Sequence, residues 1–252
     1  MLKVTNISKS FILSEKVLDD ISFDINKGEL VSVLGSNGSG KSTLLKILSG
    51  FYNSDTGSFS LSDKVLTGLP TYIISQQFHY LHQSREDNLP PSLTLLEATM
   101  VCLSNASSDF HSLSVNQWTK KTIDLFSPLD LNLENKIDQQ IKSFSGGECQ
   151  VVSLVLMIEI IKQNSALENI LLLDEHTAHL DNNMAAKVMD LTIQLVKENQ
   201  ITTIMVTHNI EAAIKFSDRV LILKNKKVFR EITFNSTRRQ ITKSELENLV
   251  LN

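Results

Sequence analysis

With 252 residues the chain can bury one sizeable core, alone or with a subdomain. A hydrophobic share of 42% against 21% charged residues is the balance of a folded globular protein, which sets aside disordered and low-complexity classes. The formal net charge of −4 leaves no basic footprint for nucleic acid, and two cysteines, Cys102 and Cys149, are too few for a disulfide framework and fit a reducing compartment.

The first 34 residues read as β-rich. Leu2–Ile7 and Val17–Ile25 are strands, a turn follows at Asn26-Lys27-Gly28, and Leu30–Leu34 is a short apolar strand. Next comes Gly35-Ser36-Asn37-Gly38-Ser39-Gly40-Lys41-Ser42-Thr43, which fits G-x-x-x-x-G-K-S/T at every position. Residues 43–50 carry helical spacing through Leu44, Leu45, Ile47 and Leu48 and end at Gly50. Strand, glycine loop and helix in that order make a phosphate loop. The glycines let successive N–H groups turn toward one anion, and the helix N-terminus adds partial positive charge. In such a loop Lys41 reaches the β- and γ-phosphates of a nucleotide and Ser42 holds Mg²⁺. The alternative, a glycine-rich turn that binds nothing, is disfavoured by the complete pattern and both flanks.

Asp55-Thr56-Gly57 is a turn, Ser58–Leu61 returns as a strand, and Phe78–His82 is a strand into the core. The texture changes from about residue 84. Ser84–Ser92, with Pro90-Pro91, is a loop; Thr94–Leu103 and Val115–Phe126 have helical spacing; Ser104–Ser114 is a serine-rich connection. The stretch 84–145 therefore reads as a helical insertion. Strand and helix then alternate: helix Val151–Gln163, buried strand Asn169–Asp174, helix Asn182–Asn199, strand Ile201–Thr207 and helix Glu211–Phe216. A hairpin of Val220–Leu223 and Lys227–Ile232 follows, then a tail helix with Thr242 and Glu245 spaced as a capping box. The alternation predicts an α/β fold with a mainly parallel sheet. The longest apolar stretch, Val151–Ile161, holds Ser153 and Glu159 and is too short to span a bilayer, and the start lacks the apolar core of a signal peptide. Work at a membrane is expected to run through a partner.

Two further clusters carry chemistry. Ile170-Leu171-Leu172-Leu173-Asp174-Glu175 is an apolar strand ending in two carboxylates, delivered to the sheet edge where ligands bind in such folds. Asp174 can coordinate Mg²⁺ and Glu175 is placed to polarise an attacking water; a helix cap with a neighbouring charge is the bland alternative. Ser143-Phe144-Ser145-Gly146-Gly147-Glu148-Cys149-Gln150 leads into a helix, so Ser145-Gly146-Gly147 is either a second anion-binding tip or an ordinary serine cap.

With these three segments in order, nearly the whole chain resembles the ATP-binding subunit of bacterial ABC transporters. Gly35–Thr43 is similar to the Walker A loop and Ile170–Glu175 to Walker B. Phe144–Glu148 resembles the signature Leu-Ser-Gly-Gly-Gln, with Phe and Glu in place of the first and last residues. Ala178-His179-Leu180-Asp181 resembles the D-loop, and His208, after Ile201–Thr207, the switch histidine. Phe11 stands where the family usually has an aromatic that stacks on adenine. Among Gln76, Gln77 and Gln83, Gln83 best matches the Q-loop glutamine, because it follows Phe78–His82 and precedes the Thr94-x-x-Glu97 opening by the shorter loop. Asp174-Glu175-His176-Thr177-Ala178 and the segment around Ile201–Asn209 are similar to a subgroup that serves an uncharacterised import system, some members of which are linked to aromatic amino-acid uptake.

The resemblance implies a P-loop NTPase core with an N-terminal antiparallel β subdomain and a helical insertion. Residues 1–252 form a single ABC ATPase domain, with 1–83 and 146–252 as nucleotide-binding core and 84–145 as helical subdomain. It implies an ATPase using ATP and Mg²⁺, the metal held by Ser42, Gln83 and Asp174, with Glu175 and His208 at the reaction. Two copies join head to tail, as a homodimer, so that Ser145, Gly146, Gly147 and Glu148 of one copy meet the ATP of the other. Asp181 belongs to the same junction. The other implied partners are an integral membrane permease and an extracytoplasmic substrate-binding protein, with this chain peripheral on the cytoplasmic face. A soluble ABC ATPase of the iron–sulfur cluster assembly type is the rival. Glu148 departs from the family glutamine: its carboxylate either repels the neighbouring ATP and slows dimer closure, or faces its own helix backbone. Cys149 reads as inert.

Overall fold

The computed structural model describes residues 1–12, 15–106, 113–164, 167–234 and 242–251. Part of the Ser104–Ser114 connection, residues 107–112, lies outside them. In chain order the elements are β1 (Leu2–Ile12), β2 (Glu15–Ile25), β3 (Leu30–Leu34), α1 (Lys41–Leu48), β4 (Thr56–Leu61), β5 (Lys64–Val65), α2 (Thr71–Ile74) and β6 (Phe78–Leu81). Then follow α3 (Leu95–Ser104), α4 (Val115–Phe126), α5 (Gly146–Gln163), β7 (Ile170–Asp174), α6 (Asn182–Glu198), β8 (Thr202–Val206), α7 (Ile210–Phe216), β9 (Arg219–Lys224), β10 (Lys227–Thr233) and α8 (Lys243–Leu251).

The chain divides into two compact units. The first holds Met1–Tyr80, Glu168–Glu175 and Val196–Asn252; the second holds Leu81–Leu167 and His176–Leu195. The first unit carries an antiparallel sheet in the order β2-β1-β4-β5 and a six-stranded sheet in the order β10-β9-β3-β8-β7-β6. In the second sheet β3 pairs in parallel with β8 and β9, and β7 with β8. Every residue of β3, β7 and β8 is buried, as parallel strands covered on both faces require. Their side chains join Leu44, Leu45, Ile47 and Leu48 of α1 in one core, so the loop between β3 and α1 is held by rigid elements at both ends.

The second unit packs around Phe126, Leu133, Phe144, Val152 and Val188. It is larger than the 84–145 stretch because α5 and most of α6 contribute to this core.

Two boundaries differ from the sequence expectation by five residues, each for an identifiable reason. β1 runs to Ile12 rather than Ile7, because Lys9 and Ser10 still pair with β2 and Ser8 pairs with β4. α5 starts at Gly146 rather than Val151, because a capping box overrides the low helix propensity of two glycines. The short elements α2 and β5 carry too few residues to show a period. The tail capping box forms: Thr242 Oγ1 accepts from the Glu245 N–H at 3.3 Å, and Glu245 accepts from the Thr242 N–H at 2.7 Å.

Candidate functional site

In the first unit the glycine loop leaves the buried end of β3 and turns into α1. Gly40 is the N-cap, at φ +99°. A Cβ there would lie 2.5 Å from Leu18 Cδ2 and 2.7 Å from the Val17 carbonyl oxygen, so the turn needs glycine on both counts. Gly38 also has positive φ, but open space around it. No side chain caps α1 and its first turn has no acidic residue, whereas α3, α4 and α5 each begin with a complete capping box. The donors at this helix start are thus left for an external acceptor.

Lys41 is buried at 5% exposure, and its ammonium donates to the carbonyls of Gly35 at 2.8 Å and Ser36 at 3.0 Å. Burial pushes its pKa down, against the pull of the Glu175 and Asp174 carboxylates. Ser39 Oγ is buried without a hydrogen-bond partner among the described residues. Asn37 is exposed and Thr43 half-buried.

Asp174, at the end of β7, accepts from Ser42 Oγ at 3.0 Å and from the Tyr80 hydroxyl at 2.6 Å. Adjacent hydroxyl and carboxylate oxygens are hard ligands suited to Mg²⁺, so the residues present fit that ion. Tyr80 was not legible as a site residue: within Phe78–His82 it reads as one more core aromatic. Glu175 has φ +48°, donates its N–H to the Val206 carbonyl at 3.0 Å, and brings Oε1 to 2.6 Å from His208 Nε2. A non-glycine residue in that region is strained, and the contact with His208 holds the carboxylate. His208 shares a cavity of about 400 Å³ with Gly35, Ser36 and Asn37. One sheet edge therefore gathers the loop, Asp174, Glu175 and His208. Phe11 is 54% exposed, and its ring stands edge-to-face on Tyr52 with centroids 5.1 Å apart.

The remaining candidates lie in the second unit. Ser145 caps α5: its Oγ accepts from the Glu148 N–H at 3.2 Å, and Glu148 Oε2 accepts from the Ser145 N–H at 2.8 Å. Of the two possibilities for Glu148, the structure takes the second, with the carboxylate facing its own helix start. Lys136 bonds the other carboxylate oxygen. Burial would raise the Glu148 pKa, but the Lys136 ammonium and the Ser145 N–H outweigh it and hold the group below its ordinary range.

A Cβ on Gly147 would lie 2.2 Å from Met184 Cγ, so helix α6 passes directly over this turn; Gly146 sits by Leu180. Asp181 Oδ1 accepts from the N–H groups of Asn183 and Met184, capping α6. Gln83 Nε2 is 3.3 Å from His179 Nε2, and both line a cavity of about 410 Å³ with Gly146, Gln150 and His176. His176 is buried, bonded to Thr192 Oγ1 at 3.0 Å, and burial pushes its pKa to about 4, so the ring is neutral. Cys149 is buried in the core of this unit, in keeping with an inert thiol.

Glu148→Gln keeps the capping box and removes a carboxylate already answered by Lys136. Its turnover should stay within about twofold of wild type in a steady-state ATPase assay. The folded carboxyl has a depressed pKa, so its contribution to stability is complete above the unfolded carboxyl pKa and lost as pH falls through the folded one. Denaturation midpoints of wild type and Glu148→Gln should accordingly converge below the ordinary carboxylate range.

The family described as ABC transporter matches residues 18–178. A tyrosine transport ATP-binding protein of Clostridioides difficile (strain R20291) is 34% identical over 236 residues, covering 92% of each chain. A phosphonates import ATP-binding protein of Fusobacterium nucleatum is 30% identical over 235 residues, covering 91% of each chain. Among solved structures, a dimeric ATP-binding cassette in a post-hydrolysis state, bound to ADP and Pi, superposes with a TM-score of 0.76 at 27% identity, covering 94% of this chain and 100% of that one. These relatives are named for transport and lend the iron–sulfur assembly alternative no support. Sequence and fold agree: the chain belongs to the ABC transporter family of ATP-binding subunits and is an ATPase.

Proposed function

We propose that this subunit powers solute import through a membrane permease, working as a head-to-tail homodimer whose two ATP sites are each shared between copies. The observation that carries the chemistry is the convergence of Lys41, the Ser42–Asp174 pair and the Glu175–His208 pair beside the uncapped start of α1.

In this reading the loop from Gly35 to Thr43 cradles the phosphates and the Lys41 ammonium turns from the Gly35 and Ser36 carbonyls toward them. Ser42 and Asp174, joined by Gln83, would hold Mg²⁺. When bound, the metal neutralises charge on the phosphate oxygens. Glu175 accepts the proton of the water that attacks the γ-phosphate, and His208 holds the Glu175 carboxylate in line and contacts the same phosphate. Phe11 stacks on adenine. Ser145, Gly146 and Gly147 of the other copy close the site, with Asp181 at the junction. Glu148 acts there through the cap it makes with Ser145. Residues 1–83 and 146–252 serve as the nucleotide-binding part and 84–145 as the helical part of one cassette.

Among the described residues no helix is long and apolar enough to cross a membrane. The transport and import in the relatives' names support a permease that does so; this chain sits peripherally on its cytoplasmic side. A substrate-binding protein completes an importer, and the tyrosine-transport relative favours an amino acid as cargo.

Tagging the chain in its host, solubilising membranes gently and identifying what co-purifies tests this. An integral membrane protein in stoichiometric amount is the expected result. Recovery with soluble partners alone, and none in the membrane fraction, would overturn the importer reading.

A further inference from the structure

Phe144 and Glu148 are the two positions at which this chain departs from Leu-Ser-Gly-Gly-Gln. Both touch the same residue. Lys136, twelve residues before Glu148, places its ammonium on the Glu148 carboxylate and 5.7 Å from the centroid of the Phe144 ring. Phe144 is buried at 3% exposure, and Lys136 and Glu148 side chains are exposed by 28% and 15%. The pair is therefore shielded enough for its charges to matter more than a surface ion pair would.

We propose that Lys136 is a positioning residue for the second half of the ATP site: it neutralises Glu148 and pins the Ser145-Gly146-Gly147 turn between a cation–π contact and an ion pair. The inference rests on the head-to-tail reading given above. A glutamine at position 148 would form the same capping box without charge. With glutamate there, an anion stands one helical turn from a tip meant to receive phosphate. The Lys136 ammonium cancels that charge locally. Phe144, in place of leucine, gives the ammonium an aromatic face that leucine cannot offer. The glutamate, the phenylalanine and the lysine thus form one unit that replaces a single neutral glutamine. The depressed Glu148 pKa agrees with this, since the carboxylate stays ionised beside its partner.

The test uses the full chain in a Glu175→Gln background and measures, by size-exclusion chromatography with light scattering, the Mg·ATP concentration that gives half-maximal dimer. Lys136→Met should raise that concentration on the order of tenfold, because the Glu148 charge is then unanswered. Adding Glu148→Gln to Lys136→Met should return it to within about threefold of the parent, and Lys136→Arg alone should stay close to the parent. The Lys136→Met defect should also shrink at about 1 M salt, where charge repulsion is screened.

Dimerisation of Lys136→Met at the parental ATP concentration would overturn the proposal. So would a defect that Glu148→Gln leaves unrepaired, which would mark Lys136 as mere packing under Phe144. Failure of the Glu175→Gln parent itself to dimerise would instead sink the head-to-tail reading, and the proposal with it.

Discussion

Glu175→Gln should lower turnover by a factor of about 10²–10⁴ while ATP binding survives and an ATP-dependent dimer accumulates. The side chain keeps its volume and keeps an acceptor for His208 Nε2, now 2.6 Å from Oε1. It loses only the basicity needed to take a proton from water. Its backbone is held in the left-handed region by the Glu175 N–H bond to Val206, so the amide is delivered to the same place as the carboxylate. Removing one negative charge from the site also favours retention of the nucleotide. Single-turnover hydrolysis and gel filtration with Mg·ATP check both halves. A variant that stays monomeric at saturating Mg·ATP would contradict a site shared between copies.

Lys41→Ala should abolish ATP binding, by a factor of about 10² or more, while leaving the fold intact. Two charge-assisted hydrogen bonds to phosphate, at about 1.5–3 kcal/mol each, account for a loss of that size. In the structure the ammonium bonds two loop carbonyls, and burial already disfavours its charge. Deleting it removes a desolvated cation rather than stranding an anion, because Asp174 keeps both Ser42 and Tyr80. Thermal midpoint and nucleotide titration by calorimetry separate the outcomes: an unchanged midpoint with no binding heat is expected. Wild-type affinity in this variant would remove Lys41 from the site.

Much of this site was legible in the sequence because its residues sit in contiguous segments. The loop Gly35–Thr43 and the strand ending at Asp174-Glu175 are short, their chemistry is local, and their flanking periods place them at a sheet edge. What stayed hidden depends on partners far apart in the chain. Tyr80 reaches Asp174 across 94 residues, and nothing in Phe78–His82 marks its hydroxyl. Lys136 lies in a stretch of short 3-10 turns without a readable period, so its contact with Glu148 appears only after folding. For Glu148 itself, local rules allowed two orientations; the capping box chose between them. In the fold the parallel core strands were readable from their apolar runs, while the end of β1 and the start of α5 were set by hydrogen-bond partners that override composition.

In the proposed function the Ser145-Gly146-Gly147 turn of one copy completes the phosphate site of the other. The most direct measurement is the ATP retained and the mass of the particle after gel filtration, for Glu175→Gln and for Glu175→Gln carrying Ser145→Arg. A dimer holding two ATP is expected for the first, and for the second a monomer that still binds ATP through its own loop. A Ser145→Arg variant that remains a dimer with two trapped ATP would contradict it.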